Sequence, residues 1–94
     1  MEIKITSFPK DSNWVNGTAG GYTFNAKVYD EGSVYGVNEG RVSKLSIRDE
    51  YGREIVCYDR GWDIEPQDEN LKNLVSGVVD YLERLPKRFD WGGL

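Results

Sequence analysis

From Val15 to Val28 apolar and polar residues alternate on either side of a Gly20-Gly21 pair. Alternation with period two marks a strand with one buried face, and two residues that tolerate positive φ make a tight hairpin turn. A two-residue turn sets Ala19 against Tyr22, Gly17 against Phe24 and Val15 against Ala26, all on one side of the pair. The largest ring then faces the residue without a side chain, so register and packing agree.

A second hairpin is predicted downstream. Arg41 to Asp49 alternates, with Ser43, Leu45 and Ile47 on one face, and Arg53 to Arg60 forms its partner strand. Glu50-Tyr51-Gly52 reads as a three-residue connection with Gly52 in the left-handed position. This register opposes Ile47 to Ile55 and Leu45 to Cys57, and pairs Arg48 with Glu54 on the solvent side. Cys57 is then expected as a small core residue, not a reactive thiol.

Beyond Pro66 the period changes. Leu71, Leu74, Val75, Val78, Leu82 and Leu85 recur at spacings of three and four, which predicts an amphipathic helix from Gln67 to Leu85. Pro66 suits its first turn, Asp68 and Glu69 favour the positive end of its dipole, Arg84 the negative end, and Pro86 stops it. Gly77 weakens its middle and leaves room for a bulky ring from the sheet. Met1 to Phe8 forms a further strand, with Ile3 and Ile5 on one side and Pro9 at its end. The expected fold is α+β in two layers: an antiparallel sheet of four to five strands, built from two consecutive hairpins, with one C-terminal helix on one face. A single domain spans residues 1–94, with its core in 13–85 and a tail at 86–94.

Composition narrows the chemistry. The 94 residues contain no histidine, which removes the usual neutral-pH base and the commonest zinc ligand. Asp59, Asp63 and Glu65 match no calcium-loop spacing, and no phosphate-loop or dinucleotide fingerprint occurs. Neither enzymatic activity, cofactor nor metal is expected. The lone Cys57 closes no disulfide within the chain, and no apolar run suits a leader peptide or a membrane span. A cytoplasmic location is the expectation.

Net charge is -4, and it is uneven: residues 59–83 hold seven acids against Arg60 and Lys72. Such a chain is a poor direct ligand for nucleic acid or a membrane and a fair match for a basic protein surface. The alternative reading is that the acids solvate one helix and its lead-in loop.

Two segments invite a functional reading. Residues 30–40 carry three glycines without alternation and form an ordered connection between the hairpins. With Tyr35, Arg41, Asp59 and Arg60 this connection is a candidate small-ligand site; as a plain arch, its glycines serve backbone geometry. In Tyr58-Asp59-Arg60-Gly61-Trp62-Asp63, neighbouring Asp59 and Arg60 face opposite sides of a strand and do not pair. Arg60 then reaches Asp63 or Asp30, and Asp59 reaches Arg41. Trp62 either plugs the core's open end under the helix or forms, with Tyr58 and Arg60, a surface anchor. Trp14 and Tyr29 lie on the outer sheet face, and Trp91 in the tail adds an aromatic for a partner.

The chain also carries Trp14 with Gly17, Gly-Tyr-Thr-Phe-Asn-Ala-Lys-Val-Tyr-Asp at 21–30, Ser33 with Gly36, Gly-Arg-Val-Ser-Lys-Leu at 40–45, and Tyr-Asp-Arg-Gly-Trp-Asp at 58–63. In these it resembles a family of short, uncharacterised bacterial and phage-borne proteins. The resemblance covers about half the chain and implies a mobile-element setting but no activity. Inhibitors of bacterial defence, anti-CRISPR proteins among them, are small acidic proteins of that setting. The reading that follows is a binding module for a larger, basic protein. The alternatives are a structural homodimer and a small-ligand binder at loop 30–41.

Overall fold

The computed structural model describes residues 2–7 and 12–87. Six strands form one antiparallel sheet in chain order: β1 (Ile3–Ser7), β2 (Trp14–Ala19), β3 (Tyr22–Val28), β4 (Val42–Arg48), β5 (Glu54–Asp59) and β6 (Trp62–Ile64). Helix α1 (Glu69–Glu83) closes one face, with β4 beneath it. Two layers and a C-terminal helix are as the periodicity predicts. The strand number is not: β6 raises it to six, because Trp62–Ile64 is too short to alternate.

The β2–β3 register matches expectation at Ala19–Tyr22, Gly17–Phe24 and Val15–Ala26. A methyl group on Gly17 would lie 2.6 Å from Phe24 Cζ, so the close approach of the ring requires glycine. The β4–β5 turn also holds, with Gly52 at φ 80° and Arg48 opposite Glu54. One residue further, the register departs. A bulge at Ile55 sets Ile47 against Val56 and Leu45 against Tyr58, so Val56 and Tyr58 are buried while Cys57 turns to the outer face. The extra residue moves every later side chain to the opposite face. A second bulge, at Ser43, lets Val42 take the core position expected of Ser43.

The stripe of α1 is as read: Leu74, Val75, Val78 and Leu82 are buried, and Leu71 and Leu85 pack at its ends. Its start is later than expected. Asp68 is the N-cap, its carboxylate accepting from Leu71 N–H at 2.8 Å, so Pro66 lies before the helix and not in its first turn. Loop 30–41 is ordered. Val37 is buried within it, and backbone bonds from Ser33 to Gly40 and from Gly40 to Val37 close it on itself.

Candidate functional site

The outer sheet face lies opposite α1, and no described element covers it. Its side chains form rows across the strands. One row runs Trp14, Lys27, Lys44, Asp59 over β2 to β5; the next runs Asn16, Asn25, Ser46, Cys57. Two lysines thus stand directly opposite each other, an arrangement that costs free energy unless an anion lies nearby. Asp59 answers in part: its Oδ1 is 3.6 Å from Lys44 Nζ and also 3.6 Å from Arg60 Nε. Arg60 reaches it because its φ of 58° takes it off the strand, which corrects the expectation that these neighbours diverge. Its N–H donates to Ser43 O at 2.9 Å, fixing this turn to the bulge of β4.

Beside the row, Lys27, Tyr29, Glu31, Ser33, Tyr35, Ser43, Lys44 and Arg60 line a depression of about 460 Å³. Loop 30–41 supplies one wall. Tyr29 and Tyr35 are exposed there, and Lys27 lies 5.5 Å over the Tyr29 ring. Glu31 is engaged by Lys87 at 2.7 Å.

A different cleft, of about 830 Å³, opens between α1, loop 30–41 and β6. Trp62, Val75, Val79, Pro66 and Val37 supply its apolar lining, and Asp80, Glu83 and Lys72 its charge. Trp62 stands edge-on to Tyr58, with ring centroids 5.0 Å apart. It therefore lies on the helix side, as a plug would, yet remains 39% exposed. Gly77 and Trp62 both line this cleft.

Of the other candidates, two serve the fold. Arg41 donates to Tyr29 O at 2.7 Å, to Glu83 O at 2.9 Å, to Leu85 O at 2.5 Å and to Pro86 O at 3.3 Å. It thereby satisfies carbonyls at and just beyond the end of α1 and ties them to Tyr29, the residue after β3. Its own N–H donates to Glu83 Oε2 at 2.7 Å, as does that of Val42 at 3.2 Å, an approach that Gly40 permits by having no side chain. Asp59 bonds Lys44 and Arg60 where Arg41 was the expected partner. Tyr58 is buried and its hydroxyl donates to Tyr35 O at 2.9 Å, so it anchors the loop and is no surface residue. Trp14 is half-buried at the end of its row. Asp63 lies 3.9 Å from Cys57 Sγ. Partial burial, then the charges of Glu54, Asp63 and Asp59, push the Cys57 thiol up from 9.0, so it stays protonated at neutral pH. Trp91 lies outside the described residues.

Residues 13–83 match a protein family described as a domain of unknown function (DUF7678). The chain belongs to that family. Comparison with curated proteins and with solved structures finds no match. The DUF7678 segment begins just before β2 and ends with α1, so it takes in both hollows and leaves β1 outside. Arg41, within the DUF7678 segment, reaches Leu85 and Pro86 just beyond its end.

No helix among the described residues is long and apolar enough to cross a membrane. Sequence reasoning missed Lys27, Lys44 and Ser33. The Lys27–Lys44 pairing joins two hairpins across a long loop, and no local pattern reports a register of that kind.

Proposed function

We propose that the protein is a non-catalytic binding module that docks on a larger, basic protein through the cleft between α1 and β6. The observation that carries this reading is Trp62, exposed at the cleft and held edge-on by buried Tyr58. A large aromatic fixed by its neighbour loses little freedom on binding, and tryptophan dominates interface hot spots. Among the residues that line the cleft, Asp80 and Glu83 outnumber Lys72, which favours a basic partner. Inhibition of a host defence nuclease, in the manner of anti-CRISPR proteins, is the specific form of the proposal. It rests on the resemblance to phage-borne proteins.

The test is affinity capture from a bacterial lysate with wild type, Trp62→Ala and Asp80→Lys. A basic protein held by wild type and lost with both variants supports the reading. Retention by both variants refutes it, as does a stable dimer in sedimentation velocity that buries the cleft against a second copy.

A further inference from the structure

We propose that the outer-face depression between Lys27, Lys44 and Arg60 is a binding site for a small phosphate monoester, a mononucleotide in size and chemistry. This is independent of the docking cleft, which lies on the other side of the sheet.

Three features converge. First, Lys27 and Lys44 are direct cross-strand partners on one face, and such like-charge pairs raise the energy of the unliganded protein. Second, Lys44 and Arg60 already meet at a single oxygen, Asp59 Oδ1, each at 3.6 Å. Their geometry is thus suited to an oxyanion, while one carboxylate serves two cations and Glu31 is turned to Lys87. A phosphate dianion brings the charge that this cluster lacks and accepts several N–H donors at once. Third, Arg60 is a non-glycine residue at φ 58°, a conformation unfavourable for a residue with a Cβ, and its guanidinium is turned to the cluster.

The rings of Tyr29 and Tyr35 set the size of the ligand. Both are exposed along the depression, whose volume of about 460 Å³ lies within the range of small-molecule sites. A base stacked on either ring while its phosphate meets the lysines fills that space, and stacking tolerates any base. The long basic track that nucleic acid needs is absent from the described face, where Glu54, Asp59 and Asp63 interrupt the cations.

Asp59 is the internal competitor, and this gives the test its sign. Adenosine monophosphate and inorganic phosphate are titrated into the ¹⁵N-labelled full chain at constant ionic strength. The amides of Lys27, Lys44 and Arg60 shift saturably, and the nucleotide binds more tightly than phosphate. Lys27→Gln/Lys44→Gln weakens binding about tenfold or more, whereas Asp59→Asn strengthens it about two- to fivefold, the worth of an exposed ion pair. A merely structural role for the cluster moves neither affinity in that pattern. The proposal fails if sodium chloride reproduces the shifts, if phosphate and nucleotide bind equally, or if Asp59→Asn weakens binding.

Discussion

Gly17 and Phe24 show how one residue's lack of a side chain shapes its surroundings. The ring occupies the space that a Cβ on Gly17 would need, and the carbonyl of Lys4 approaches the same point from β1. Gly17→Ala therefore forces the ring and an edge strand to shift together. It should destabilise the protein by about 1–3 kcal/mol in urea unfolding, the usual cost of overpacking. A cost within a few tenths of a kcal/mol shows that the sheet yields freely at this point. The pairing itself was legible, because Gly20-Gly21 fixes the register locally. Cys57 was not. Its face depends on Ile55 being bulged, and Arg48–Glu54 pairs with or without that bulge.

At the scale of elements, α1 was readable from its stripe and its stop, since spacings of three and four follow from helix geometry alone. What holds its C-terminal end was not readable. Arg41 reaches three carbonyls between residues 83 and 86 and a fourth at Tyr29, just after β3, a set that only a planar fork of donors satisfies. Arg41→Ala should lower stability by about 2–3 kcal/mol and deprotect the last turn of α1 in hydrogen exchange. Arg41→Lys should recover less than half of that loss. Full recovery by lysine shows that charge near the helix terminus, and not the fork, is what matters. β6 escaped notice for a different reason. Three residues carry no period, and the turn into it depends on Arg60 adopting a left-handed conformation that glycine or asparagine adopts more cheaply.

At the scale of the molecule the balance of charge differs between the two faces, although Glu54 and Asp59 stand among the outer cations and Lys72 among the acids of α1. Lys4, Lys27, Lys44 and Arg48 lie on the outer sheet surface, and the acids of α1 and its cap lie on the other side. The proposed protein partner and the proposed phosphate ligand thus meet opposite faces. Association with the protein partner should weaken roughly tenfold between about 0.05 and 0.5 M salt in calorimetry or surface binding. A salt-independent affinity shows that Trp62 and its apolar neighbours act without the acids. Removing Lys27 and Lys44 should leave that association intact.

The amino-acid order by itself determined the two turns, the strand period, the helix stripe and hence the two-layer arrangement, because each is a local consequence of glycine placement and apolar spacing. Tertiary structure alone decided which face the cysteine takes, what Arg41 bonds, and that Lys44 and Arg60 meet at the carboxylate of Asp59 with Lys27 beside Lys44. Those outcomes depend on bulges and on contacts between residues far apart in the chain. They are settled by the packing of the assembled sheet and helix, which no window of the sequence contains.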